Sequence, residues 1–178
     1  MKIDPAKIDV IVKWPRPQKV IEVRSFIGAI QYWRKFIALF SLIASPLNAL
    51  TGSKIPFQWG EKQQKTFYTL KQKIVTAPIL ALPDLQQPFE IETDASGYAM
   101  GVVLLQKGKS IYFHSEYFSK AIMNYPTYDK ELFALVESVK KWKHYLMGKE
   151  TMFHDCIKIL RNQKIEFQIL ELLRALDP

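Results

Sequence analysis

The stretch APILALPDLQQP, residues 77–88, separates two halves of the chain whose apolar residues repeat with different periods. Upstream, Val20, Val23, Phe26, Ile27 and Ile30 recur at spacings of three and four. Phe67, Leu70 and Ile74 do the same within a run from Glu61 to about Thr76. Those are the spacings of amphipathic helices. Downstream, Phe89, Ile91 and Thr93 alternate with Glu90, Glu92 and Asp94, the period of a half-buried strand. The stretch between carries Pro78, Pro83 and Pro88 and follows neither period, which marks a boundary. A chain that must bury helical stripes and then strand faces is restricted to a mixed architecture, α/β in class and α+β overall. The predicted organisation is a basic helical segment over 1–80, a proline-rich linker over 81–88, an α/β unit over 89–156 and a divergent helical tail over 157–178.

Pro15 and Pro17 end any helix begun near Pro5, and the apolar run 36–50 reads as a buried helix bent at Pro46. After the boundary, YAMGVVLLQ reads as a buried strand, KGK as its turn and SIYFHSEYFS as a third strand. The three form a predicted antiparallel meander. A long helix is expected from about Thr127 to Met147, stopped by Gly148. Leu132, Leu135, Val136, Val139, Trp142 and Leu146 make its apolar face, and Lys140, Lys141 and Lys143 complement the dipole in its last turns. ETMFHD is predicted as a fourth strand ending at Asp155. Ile165, Ile169, Leu172 and Leu173 give the tail a helical stripe.

The formal charge of +8 lies wholly in the first half. Residues 1–80 hold 13 Lys and Arg against 4 Asp and Glu, a net +9, whereas residues 81–178 are net −1. Such a basic segment suits a polyanion, or is a solvated surface with no ligand. One cysteine, Cys156, excludes a disulfide framework and suits a reducing compartment. The run 36–50 is short for a membrane span, and the N-terminus has no apolar signal region, so the expectation is an intracellular protein with no membrane partner.

Three carboxylates are candidates for chemistry. Asp94 closes the alternating strand just before Ala-Ser-Gly, at the end of a sheet. Glu131 borders the apolar face of the long helix near its start, so a helix crossing the sheet would carry it toward Asp94. Asp155 would join them if the fourth strand pairs beside the first. Converging hard oxygen ligands suit magnesium or manganese, and two such ions would clamp the attacking and leaving oxygens of a phosphodiester. The alternative is an ordinary turn aspartate and a helix-dipole glutamate.

TDASGYAMGVVLLQ, followed by NYPTYDKELFALVESVKKWKHYLMGKE, resembles the ribonuclease H domain in polymerase polyproteins of gypsy-type retrotransposons. Upstream, KIDVIVKWPRPQKVIEVRSFIGAIQYWRKFIALFSLIASPLNALT and FQWGEKQQKTFYTLKQKIVTAPILALPD resemble the connection or thumb-like segment that follows the reverse transcriptase palm. The resemblance runs from about residue 3 to about residue 154. It implies an incomplete RNase H-like fold and two-metal hydrolysis of RNA in RNA–DNA hybrids, with magnesium or manganese on Asp94 and Glu131. It also implies a nucleic-acid partner, hybrid or duplex. The family's next aspartate lies in a strand-end Thr-Asp-His; here the sequence is His154-Asp155-Cys156, one residue early. In a strand a one-residue slip turns a side chain to the other face. Residues 157–178 do not resemble the family's closing strand and helix, and no Asp-Asp pair of a polymerase palm occurs. The expectation is weak or lost nuclease activity, with palm and closing elements as partners if they are supplied in trans and an exposed sheet prone to self-association; the alternative is a non-catalytic nucleic-acid-binding or structural remnant.

Of the remaining residues, His114 and His154 lack zinc-ligand spacing, and Cys156 has no identifiable base. The segment QYWRKF, residues 31–36, interleaves aromatic and basic side chains. Helical spacing makes most of its aromatics core residues, which leaves Arg34 and Lys35, with Arg24 and Lys65, as the expected nucleic-acid contacts.

Overall fold

The computed structural model describes residues 5–52, 56–147 and 151–154. The first half is helical: α1 (Pro5–Val12), α2 (Val20–Ile30), a 3₁₀ helix (Gln31–Phe36), α3 (Phe40–Ala49) and α4 (Glu61–Val75). Val23, Phe26, Ile27 and Ile30 of α2 are buried at the predicted spacing and meet Phe67, Leu70 and Ile74 of α4 in one core. The Phe26 and Phe67 rings lie 4.6 Å apart at its centre. Lys71 of α4 donates to the carbonyl oxygens of Val12 and Trp14 at 2.9 and 2.5 Å, closing the C-terminal end of α1. Partial burial lowers the pKa of that ammonium.

The second half is a four-stranded sheet of order β3-β2-β1-β4. Its strands are β1 (Phe89–Ala95), β2 (Ala99–Gln106), β3 (Lys109–Tyr117) and β4 (Thr151–His154). The first three form the predicted antiparallel meander, and β4 pairs with β1 in parallel. Lys107 and Gly108 both have positive φ, 52° and 68°, the two-residue turn whose twist matches that of its strands. Between β3 and β4 lie α5 (Lys120–Met123) and α6 (Thr127–Leu146).

Alternation gives the sheet two covered faces. Phe89, Ile91, Val102 and Leu104 pack with Val139, Trp142 and Leu146 of α6. On the other face Phe113 packs against the helical core, and the 3₁₀ helix and α3 lie along β3. The stripe that α6 buries differs from the expected one. It runs through Ala134 and Leu135, Ser138 and Val139, Trp142 and Leu146, whereas Leu132 and Val136 are only half-buried. Small side chains at Ala134 and Ser138 let the helix approach the sheet, so closeness of packing, rather than hydrophobicity, selects the line. The proline-rich stretch is stitched to both halves. Leu80 is buried in the helical core, and Ala81 N–H donates to Ser110 O at 2.9 Å. Buried Gln106 accepts from Asp84 N–H and donates to the carbonyls of Asp84 and Gln87.

Candidate functional site

Asp94 is the sixth residue of β1, pairs with Gly101 of β2 and is exposed. The strand stops just beyond it because Ser96 closes the turn: its N–H and hydroxyl both donate to Ala99 O, and its hydroxyl accepts from Ala99 N–H. Alternation turns Asp94 to the same face as Glu90 and Glu92, away from α6. On that face a cavity of about 200 Å³ lies between sheet and helical half, lined by Ala38, Leu39, Glu92, Asp94, Gly101 and Phe113 among others.

Glu131 is half-buried in the second turn of α6. The Tyr145 ring of α6 lies 5.8 Å from Phe89 at the start of β1, while Ala134 packs on Met100, the partner of Ala95 at the strand's far end. The helix therefore runs opposite to β1 and leaves Glu131 at the end of the sheet that carries Asp94. The parallel β4 ends at His154, opposite Glu92, with His154 Nε2 3.0 Å from Glu90 Oε2. Asp155 lies outside the described residues. Among those residues no three His, Cys, Asp or Glu side chains gather to hold a metal ion. The carboxylates have the hard-oxygen chemistry that magnesium favours, but the described residues supply two of them at one sheet end, not a three-ligand cage.

The four cations expected to contact nucleic acid have separate fates. Arg24 is exposed and donates to Thr51 O at 2.7 Å. Lys65 is exposed on the outer face of α4. Arg34 is half-buried and turned inward, donating to Ser41 Oγ at 3.0 Å and to Ser115 O on β3. Ser41 completes that joint, its N–H reaching Ser115 Oγ at 2.9 Å. Arg34 thus fastens the helical half to the sheet, a role its place in a basic segment does not signal. Lys35 is half-buried, its ammonium over the Tyr32 and Phe36 rings.

His114 of β3 is buried with its ring edge-on to Trp142. Burial, with the positive charges of Lys141 and Arg34, pulls its pKa from 6.5 down to about 4. The Glu116 carboxylate 3.4 Å away would pull it up, but Glu116 faces water and its field is screened. His114 is therefore neutral at pH 7. Leu39 and Gly101 went unmarked in the sequence. Leu39 adopts a left-handed φ of 55°, uncommon for a leucine, and seats its side chain on Gly101 beside Asp94.

Residues 59–153 match the family described as the RNase H-like domain found in reverse transcriptase. The chain belongs to that family. The chain is 36% identical over 168 residues to the retrovirus-related Pol polyprotein from transposon 297 of Drosophila melanogaster, covering 92% of the chain and 16% of that protein. It is 37% identical over 144 residues to the transposon Tf2-3 polyprotein of Schizosaccharomyces pombe, covering 78% of the chain and 11% of that polyprotein. The chain thus spans no more than about a sixth of the curated relatives it matches. Its fold is that of part of the foamy viral protease-reverse transcriptase. The structure of that protein with an RNA/DNA hybrid matches with a TM-score of 0.78 at 19% identity, over 98% of this chain and 26% of the other. The structure with dsDNA gives 0.78 at 18% identity, over 99% and 40%. The resemblance to retrotransposon polymerase polyproteins and the mixed fold class, both read from the sequence, are borne out.

Proposed function

We propose that this chain is a nucleic-acid-binding module of a retrotransposon polyprotein whose inherited chemistry is two-metal hydrolysis of the RNA strand in an RNA–DNA hybrid, and that this hydrolysis is weak here. The observation that carries the reading is directional: α6 runs opposite to β1 and β4 runs beside it, so Glu131 and the end of β4 belong to the sheet end that bears Asp94, whose side chain leaves the face opposite α6 and would meet Glu131 around the end of the strand. In this reading Asp94 and Glu131 would hold magnesium or manganese, with Asp155 as the third carboxylate, and Glu131 would help to orient the attacking water. Bound metal would supply charge stabilisation to the transferring phosphoryl group and a nucleophile at neutral pH. The weakness follows from the sequence position of Asp155, one residue early, because magnesium dehydrates reluctantly and needs its full octahedral set.

The basic half, residues 1–80, holds the substrate in this reading, with Arg24 and Lys65 on phosphates. The related foamy viral protein, solved with dsDNA and with an RNA/DNA hybrid, supports nucleic acid as the partner class. Among the described residues no helix is long and apolar enough to cross a membrane.

The test is cleavage of a labelled RNA–DNA hybrid in magnesium and then in manganese, beside Asp94→Asn. Slow metal-dependent cutting lost in the variant supports the reading. Hybrid binding without cutting in either metal, by folded protein, replaces it with a purely binding role.

A further inference from the structure

The segment QYWRKF forms the 3₁₀ helix, which repeats every three residues. That repeat sorts the six side chains onto separate faces. Trp33 and Phe36 share the inner face and are buried at 2% and 1% exposure. Arg34 is committed to Ser41 and Ser115. Tyr32 and Lys35 share an outer face, and Tyr32 is 54% exposed. The Lys35 ammonium lies 5.2 Å from the centre of the Tyr32 ring, and Lys7 of α1 brings a second ammonium to 5.3 Å from the same ring. Two helices thus bring two cations to one exposed aromatic ring. Among the described residues 5–80 no lysine or arginine is ion-paired with a carboxylate, so no described carboxylate offsets either charge.

We propose that Lys7, Tyr32 and Lys35 form a binding site for a single-stranded polynucleotide, one unpaired base stacking on Tyr32 and its flanking phosphates meeting the two ammoniums. The site rests on the reading of the chain as a nucleic-acid-binding protein and is separate from the Asp94 end of the sheet. Cation–ring contacts at exposed sites are weak, so a base can take the ring while the displaced ammonium moves to the phosphate of that nucleotide. A duplex keeps its base faces inside the stack and offers this ring nothing. Stacking on an exposed aromatic is tolerant of sequence, and the two lysines add a salt-dependent grip on the backbone. The buried Trp33 and Phe36 brace Tyr32 from behind, with ring centroids 5.1 and 6.4 Å from it.

The experiment is fluorescence anisotropy of the full chain with labelled oligo-dT, oligo-rU and an RNA–DNA hybrid, for wild type, Tyr32→Leu, Tyr32→Phe and Lys7→Gln/Lys35→Gln. Tyr32→Leu is expected to weaken single-strand binding about tenfold, leaving hybrid binding within about twofold, while Tyr32→Phe binds like wild type. The double lysine variant is expected to flatten the log–log salt dependence for single strands by about 1.4, two phosphate contacts. The ribo and deoxy arms decide which strand is preferred. Single-strand binding that is indifferent to Tyr32→Leu overturns the site, as does an equal loss for hybrid and single strand. Absence of binding to all three probes overturns the nucleic-acid reading as well, whereas hybrid binding without single-strand binding overturns this site alone.

Discussion

Leu39 of the helical half sits on Gly101 of the sheet, so closely that a Cβ at position 101 would stand 2.6 Å from the Leu39 Cδ2. Gly101 is the partner of Asp94 in the ladder, so this contact fixes where the helical half ends beside the candidate site. Leu39→Ala and Gly101→Ala should be strongly coupled. Gly101→Ala alone should cost no more than about 1 kcal/mol, because the crowding atom is the end of a partly exposed side chain that can swing aside, and adding Leu39→Ala should return most of it. Urea midpoints of the four proteins check this; additive effects would mean the two residues do not touch.

Arg34→Ala should destabilise the fold by about 2–3 kcal/mol, because the charged donor that joins Ser41 to Ser115 is lost. Arg34→Lys should recover part of this, since both bonds leave from the single Nη2 and an ammonium can also donate twice, though from a shorter side chain. Lys65→Gln, on an exposed site, should change stability by less than about 0.5 kcal/mol. Thermal melts separate the two residues: equal, small effects would return Arg34 to the surface.

His114 predicts acid sensitivity. Its folded pKa of about 4 lies below the ordinary 6.5, so between those values the unfolded chain binds a proton that the folded chain does not. Stability is therefore full above pH 6.5 and falls as the pH drops toward 4, by up to about 3 kcal/mol from this residue. His114→Gln should flatten that fall, measured as urea midpoints at pH 7, 6, 5 and 4.5. A parallel pH profile in the variant would assign the loss to other groups.

Asp94→Asn and Glu131→Gln should each leave stability within about 0.5 kcal/mol, since Asp94 is exposed and Glu131 is half-buried near a helix start. Each should nevertheless remove whatever hybrid cleavage the wild type shows. Matched melts with unmatched cleavage are the signature of a metal ligand. A large stability loss in either would point to a structural role instead.

The elements were largely legible because their signals are local. The three-and-four spacing of α2 and α4 and the alternation of β1 mapped onto buried side chains with little displacement. Where the reading slipped, the deciding fact was a distant partner. Leu132 and Val136 were assigned to the buried face of α6 by hydrophobicity, but Ala134 and Ser138 lie against the sheet because small side chains permit contact. The candidate carboxylates were readable only as residue types in suggestive places, since their common sheet end depends on the direction in which α6 crosses β1.

By itself the sequence determined the periods, hence which segments are helix or strand, the charge imbalance between the halves, and the family. All of these are carried by neighbours within a few positions. The tertiary structure alone decided that Arg34 turns inward while Tyr32 and Lys35 remain outside. It also decided that Leu39 meets Gly101, that Gln106 holds the proline-rich stretch, and that His114 loses its water. Each of these depends on residues many positions apart being brought within contact distance. Hydrogen bonding, steric fit and desolvation at such range have no counterpart in local spacing.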